Sequence, residues 1–327
     1  MATGNVGYPL LEAVLAEDPY DVLAVELSSF QLHWTRSMRP RASAVLNVAP
    51  DHIDWHGSLE AYARDKGRVH QGTSVARVYN VADPRTERLA READAGMGAR
   101  VVGVTLGVPA AGQLGVADDV LVDRAFGPQS GETTELAAAR DVNPPAPHNV
   151  ENALVAAALA RAHGVPARAV REGLRGFRPD AHRIAHVASV AGVDFVDDSK
   201  ATNAHAAAAS LRAYPSVVWV AGGLAKGATF DDLVAGARDR LRGAVLLGRD
   251  RSAVRDALAR HAPDVPVIEV ADTDTGAMDF VVSAAAGLAR PGDTVLLAPA
   301  CASMDMFGDY GERGERFAAA VRRLAAG

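Results

Sequence analysis

Cysteine is nearly absent: Cys301 is the only one in 327 residues. No disulfide can form within the chain, which suits a reducing compartment. An excess of positive charge is also lacking, because 34 lysines and arginines face 40 acidic residues for a formal net charge of −6. That balance argues against nonspecific nucleic-acid binding, which needs basic patches. It leaves room for anionic nucleotides held by local groups. No apolar run is long enough to cross a bilayer, and Met1 to Gly7 carries no basic-then-apolar signal pattern. Internal repeats and low-complexity tails are absent too. These absences lead to the expectation of a cytoplasmic protein without membrane or nucleic-acid partners; a monomer is expected as well, though not on these grounds.

What is present is ordinary globular material, 49% hydrophobic and 23% charged, in a length that suits two domains. Short β-branched runs alternate with Ala-rich helical patterns. Strands are expected at Val22–Leu27, Ala44–Val48, Arg77–Val81, Val101–Leu106, Val193–Val196, Val217–Ala221, Ala244–Leu247, Val267–Val270 and Thr294–Ala298. Helices are expected at Leu59–His70, Val150–Ala162, Ala167–Leu174, Ala204–Ala213, Asp231–Leu241, Ser252–Arg260, Thr275–Ala289 and Gly314–Ala325. This alternation predicts an α/β architecture with largely parallel sheets. Gly107–Asp141 reads as a small antiparallel excursion or loop. The pattern restarts near Phe177–Arg183, punctuated by Pro179 and Asp180. A boundary there gives domains 1–179 and 180–327, the second Rossmann-like with about five strands and five helices.

Six segments and one helical lysine could carry chemistry, most of the segments at strand ends, where ligands of open parallel sheets sit. Glu26 ends a strand expected to be buried; its carboxylate could hold Mg²⁺, which prefers oxygen, or could be a solvated strand end. Asn47–His56 follows the next strand and packs two His and two Asp within six residues. It reads either as a metal site, favoured if the two strands are neighbours, or as a polar loop with capping aspartates. Lys66, one turn after Tyr62, could be plain surface charge. Asn149 and Asn152 share a face of a helix start, and Asn149 could equally be an N-cap. Asp197–Asn203 crowds Asp, Ser, Lys, Thr and Asn into a strand-to-helix turn, a place for an anion. Gly222–Gly227 is a glycine-rich loop without the Walker spacing. Ala298–Phe307 holds Cys301, which reads as a small buried hydrophobe rather than a nucleophile, and Ser303, which reads as a ligand contact.

Taken in order, Gly4–Gly7, Glu26–Gln31, Asp51–Asp54, Asn80–Asp83, His148–Asn152, His182-Arg183, Asp198–Asn203, Gly222–Gly227 and Pro299–Phe307 resemble the Mur ligase family from end to end. The Asp-Ser-Lys-Ala-Thr-Asn and Pro-Ala-Cys-Ala-Ser-Met-Asp-Met-Phe stretches are similar to its D-glutamate-adding branch. The resemblance implies a truncated central ATPase domain followed by a Rossmann-like amino-acid-binding domain. It implies ATP and Mg²⁺ as cofactors, and UDP-N-acetylmuramoyl-L-alanine and D-glutamate as substrates joined through an acyl phosphate. By motif, Glu26 and His52 would bind Mg²⁺, and Lys66 would be a carbamylated lysine holding a second ion. Asn5, Ser28 and Gln31 would face the nucleotide-sugar substrate and the reacting groups. Asn149, Asn152, Arg183 and Asp198 would contact ATP. Lys200, Thr202, Lys226, Ser303, Met304 and Tyr310 would form the D-glutamate pocket. The family's Gly-Thr-Asn-Gly-Lys-Thr/Ser phosphate loop occurs nowhere in the sequence. An amino-terminal UDP-binding domain, that loop and the first strand and helix of the central domain are therefore expected to be missing. The sheet should then expose an edge and apolar surface, and the chain alone should not ligate. A folylpolyglutamate synthase-like ligase and a non-catalytic binding remnant are the competing readings.

Overall fold

The computed structural model describes residues 1–93, 98–127, 132–178, 181–271 and 276–326. Pro179, Asp180 and Thr275, which marked a boundary and a helix start in the sequence, lie outside the described residues. The chain divides into two compact units, Met1–Phe177 and Arg178–Gly327. No helix among the described residues is long and apolar enough to cross a membrane.

The first unit begins with β1 (Ala2–Gly4), α1 (Leu10–Val14), β2 (Ala24–Glu26) and α2 (Ser29–Trp34). β1 and β2 pair in parallel as a separate two-stranded sheet. Gly4 makes the approach possible: at φ +128°, a Cβ there would stand 2.0 Å from the Glu26 carbonyl oxygen. β2 is exposed along its length, so the expectation of a buried strand before Glu26 is corrected. β1 is its one sheet partner, and nothing else in the described residues buries it.

The main sheet of this unit follows. It contains β3 (Ala42–Val45), β4 (Ala76–Asn80), β5 (Arg100–Val104), β6 (Gln113–Ala117), β7 (Val120–Asp123) and β8 (Thr134–Ala138), in that order across the sheet. β3 to β6 run parallel; β7 runs antiparallel to both of its neighbours, β6 and β8. Gly107–Asp141 is thus both excursion and sheet extension. β2 and β3 lie in different sheets, so they are not the neighbouring strands that the sequence suggested. Between β3 and β4 stand α3 (Ile53–His56) and α4 (Leu59–Gly67), and α5 (Pro84–Glu92) follows β4. α6 (Pro147–His163) and α7 (Ala167–Gly176) supply the apolar cover of the sheet through Val150, Leu154, Ala158 and Val170. α6 starts with Pro147 at its first turn and stops at Gly164 in the left-handed region.

Among the described residues the second unit contains six strands rather than five. β9 (Ala185–Val190) and β10 (Val193–Asp197) form a hairpin. Then come α8 (Ala204–Arg212), β11 (Val217–Gly222), α9 (Asp231–Ala237), β12 (Leu241–Leu247), α10 (Arg251–His261), β13 (Val267–Glu269), α11 (Ala277–Leu288), β14 (Thr294–Leu297) and α12 (Tyr310–Ala326). The sheet order is β13-β12-β11-β14-β10-β9, parallel except for β9. Asp231–Leu241 is not one helix: α9 ends at Ala237, one 3-10 turn follows, and Leu241 opens β12. β11 reads Val-Val-Trp-Val-Ala-Gly and is buried throughout, as a strand covered on both faces must be. Val217, Trp219 and Ala221 pack towards α8, α9 and α10. Val218 and Val220 pack towards α11 and α12.

Candidate functional site

In the first unit the expected residues hang from loops and short helices. Asn5 lies in the turn after β1, its amide donating to the Glu26 carbonyl at 2.8 Å. The Glu26 side chain is exposed at the end of β2. Ser28 and Gln31 cap α2 reciprocally: the Gln31 amide donates to Ser28 Oγ at 3.3 Å, and the Ser28 amide to Gln31 Oε1 at 2.9 Å. That capping box is a sufficient structural reason for both residues. His52 has φ 53° at the start of α3. Its ring meets Phe30 at 4.8 Å, and its Nε2 stands 3.7 Å from Asp51 Oδ1. Lys66 projects from α4, with Nζ 3.5 Å from Tyr62 Oη. Burial lowers the Lys66 pKa, against an opposing pull from Asp51, and burial pushes Tyr62 up to about 12. The N-cap of α6 is Ala146, not Asn149. Asn149 Nδ2 instead donates to the Pro144 carbonyl at 3.1 Å, and Asn152 is exposed. Glu151 between them accepts from Asn80 Nδ2 at 2.6 Å and has its pKa raised by burial.

Among the described residues, no three His, Cys, Asp or Glu side chains gather into a metal-holding group. The expected set of Glu26, His52 and a modified Lys66 contains only two of these residue types. Glu26 offers the oxygen that Mg²⁺ prefers. A lysine whose charged form is disfavoured is the kind that can take up CO₂ as a carbamate, which would add a second oxygen donor.

In the second unit the candidate residues lie beyond the carboxyl ends of three adjacent strands, β10, β14 and β11. This is the crevice position of open parallel sheets. After β10, the Lys200 amide donates to the His182 carbonyl at 3.1 Å, and Lys200 Nζ stands 4.0 Å from the centre of the Tyr310 ring. Thr202 is half-buried nearby. After β14, Ser303 is buried and Met304 is exposed. After β11, Lys226 is exposed at φ 50°. The last two loops are clasped together, because Leu224 and Ala302 exchange backbone hydrogen bonds of 2.9 and 3.0 Å. Gly223 permits this: at φ +134°, a Cβ would stand 2.1 Å from the Ala302 carbonyl oxygen. Arg183 is exposed. Asp198 is buried and turned inwards; its Oδ1 accepts from the Ile184 amide at 3.2 Å, and its Oδ2 accepts from Ser210 Oγ. Burial pushes its pKa up to about 7. Cys301 is buried, with its thiol pushed up to about 12. The shift, caused chiefly by burial, favours the neutral thiol over the thiolate that a nucleophile needs.

Residues 3–160 match the Mur ligase middle domain, and residues 182–301 match the Mur ligase glutamate ligase domain. The UDP-N-acetylmuramoylalanine–D-glutamate ligase of Streptomyces coelicolor is 66% identical over 326 residues, which cover 99% of this chain and 69% of that protein. The chain belongs to the Mur ligase family. The enzyme of the same name from Thermobifida fusca is 61% identical over 329 residues, 99% of this chain and 70% of that protein. A MurF ligase from Thermotoga maritima, solved in complex with ADP, shares the fold with a TM-score of 0.61 at 16% identity, covering 95% of this chain and 70% of that one. The chain thus spans about seven-tenths of the length of these Mur ligases.

Sequence reading missed two polar clusters in this Mur ligase chain. In the first unit, His33 Nδ1 and His56 Nδ1 lie 2.8 and 3.0 Å from Asp65 Oδ2, and His56 Nε2 lies 3.0 Å from Ser29 Oγ. Asp65 thereby joins α2, α3 and α4, one residue before Lys66. In the second unit, His182 Nδ1 lies 2.6 Å from Asp197 Oδ2, and Arg313 is almost fully buried. Neither cluster is contiguous in sequence, so no local motif announces it.

Proposed function

We propose that this chain carries the central and amino-acid-binding parts of an enzyme that joins D-glutamate to UDP-N-acetylmuramoyl-L-alanine at the expense of ATP. The observation that carries the reading is the meeting of Lys200 Nζ and the Tyr310 ring, 4.0 Å apart, beyond the end of β10. The Lys226 loop is clasped to the β14 loop through Leu224 and Ala302. Two exposed or half-exposed ammonium groups, Lys200 and Lys226, suit an amino acid with two carboxylates.

In this reading the L-alanyl carboxylate takes the terminal phosphoryl group of ATP. The D-glutamate amine then attacks the acyl carbon, and phosphate and a proton leave. The chain's part is positioning and charge neutralisation. Lys200 and Lys226 hold the carboxylates of D-glutamate; Asn149, Asn152, Arg183 and Asp198 serve the nucleotide. Asp198 would act through its place in the turn, since its carboxylate faces inwards. Glu26, His52 and carbamylated Lys66 would hold Mg²⁺, whose charge offsets the anions brought together. The carbamate is tested directly: with ¹³C-bicarbonate the chain should give a carbamate resonance that Lys66→Arg lacks, and an identical spectrum from the variant would remove Lys66 from this role.

Substrate identity is tested by titrating the chain with D-glutamate and L-glutamate in a calorimeter. Binding of D-glutamate, weakened about tenfold or more in Lys200→Ala, is expected. Binding of L-glutamate alone would favour a folylpolyglutamate synthase-like substrate instead.

A further inference from the structure

Arg313 lies on α12 and is 1% exposed. Burial strips a guanidinium of its hydration, a cost that hydrogen bonds to its donors must offset. Here its nitrogens reach two different loops. Nε donates to Ser199 Oγ at 2.9 Å and Nη2 to the Ser199 carbonyl at 2.9 Å. Nη1 donates to the Cys301 carbonyl at 3.1 Å. Ser199 Oγ in turn donates to the Tyr310 carbonyl at 2.7 Å. One side chain therefore joins the turn after β10, the loop after β14 and the start of α12.

Each of those segments carries candidate pocket residues within a few positions of the tie. Lys200 follows Ser199 directly, Ser303 stands two residues after Cys301, and Tyr310 is the residue whose carbonyl is held. The clasp between Leu224 and Ala302 extends the same frame to the Lys226 loop. We propose that Arg313 is a positioning residue for the amino-acid pocket: its planar fork sets the distance between the Lys200 turn and the Ser303 loop. The statement rests on the D-glutamate reading above, because the pocket is defined by it. Arg313 does not touch the amino acid.

The chemistry favours arginine over any substitute. A guanidinium presents rigid, divergent donors, whereas an ammonium offers a compact charge that cannot span two carbonyls and a hydroxyl in one plane. Simple packing would be met by an apolar residue of like volume without the cost of burying charge.

The test uses the whole chain and three variants, Arg313→Lys, Arg313→Ala and the milder Ser199→Ala. Hydrogen exchange is followed at the amides of residues 199–203 and 301–304, with α11 and β11 as internal references. D-glutamate affinity is measured by calorimetry. Arg313→Lys is expected to speed exchange in both segments and weaken D-glutamate about tenfold or more, while the reference elements keep their protection. Ser199→Ala should shift both readouts in the same direction and less. Free guanidinium ion should restore part of the affinity to Arg313→Ala. Unchanged exchange in both segments in Arg313→Lys, or in Ser199→Ala should the first variant not fold, overturns the tie. No D-glutamate binding by the unaltered chain overturns the functional reading and, with it, the pocket role. The exchange result then still decides whether Arg313 joins the two loops.

Discussion

Asp197 and Asp198 are neighbours in sequence with opposite fates. Asp197 pairs with His182 and accepts the Ser199 amide at 2.9 Å. Asp198 turns into the core beneath α8. Its carboxyl is raised to about 7, chiefly by burial, against an ordinary value near 4. An acid with a raised folded-state pKa keeps its proton while the unfolded chain releases one. Stability is therefore highest below the unfolded value, falls as pH rises from about 4 to about 7, and levels off above. Asp198→Asn is expected to flatten that slope and to gain stability at pH 8, on the order of a few kcal/mol at most. Urea denaturation at pH 4 and pH 8 checks it; equal pH slopes in the two proteins would mean that Asp198 is ionised in the fold. Asp198 was legible in the sequence as part of an anion-binding turn, but the direction of its carboxylate was not. Two adjacent aspartates in a turn look alike until the helix packed against them is placed.

At the scale of elements, legibility followed the strength of local signals. The helices α6, α7 and α10 and the strands β4, β11 and β14 emerge from long, clean patterns, with ends differing by a few residues. α5 was missed although Asp83 caps it and Pro84 occupies its first turn, because its residues are mostly charged and show little apolar periodicity. β9 was missed because its hairpin turns on Ala191-Gly192, both at positive φ, where Asn-Gly is the usual pair. α12 begins at Tyr310 rather than Gly314 because Asp309 accepts the Glu312 amide at 2.8 Å, a cap that Gly311 and Gly314 obscure. Arg313 itself was visible in principle: it falls four residues before Phe317 and eight before Val321, on the buried stripe of α12. Neighbouring Arg316, Arg322 and Arg323 made it look like one more solvated charge. A comparable tie in the first unit joins β7 to α6. Arg161 Nε donates to the fully buried Asp123 Oδ2 at 2.9 Å, and its other nitrogens reach the carbonyls of Val165 and Phe126. Arg161→Ala would leave the Asp123 carboxylate buried without its cation. Chemical denaturation should show a loss of about 3–5 kcal/mol, and a loss below about 1 kcal/mol would mean that the pair behaves as a surface ion pair.

Over the whole molecule, apolar exposure is uneven. Eleven of the large exposed hydrophobic side chains lie within the first 55 residues, among them Leu11, Val14, Leu15 and Trp34, against six in the rest of the described chain. Most of the eleven lie on or beside β1, α1 and β2, and β1 and β2 form a strand pair too small to be stable by itself. The chemistry is uneven in a parallel way. The 327 residues contain no Gly-Thr-Asn-Gly-Lys-Thr/Ser run, so no glycine-rich turn of that kind offers its amides to the ATP phosphates. The loops proposed for D-glutamate lie in the second unit, and the hydrogen bonds that join them close within it. Binding and turnover should therefore separate. Given ATP, Mg²⁺, UDP-N-acetylmuramoyl-L-alanine and D-glutamate, the chain by itself is expected to release no phosphate above the ATP background, while calorimetry still detects D-glutamate. Phosphate release that depends on both substrates would show that another segment of these 327 residues can cradle the phosphates, and the need for the glycine-rich loop would fall. Absence of both would overturn the D-glutamate reading itself, not only the need for the glycine-rich loop.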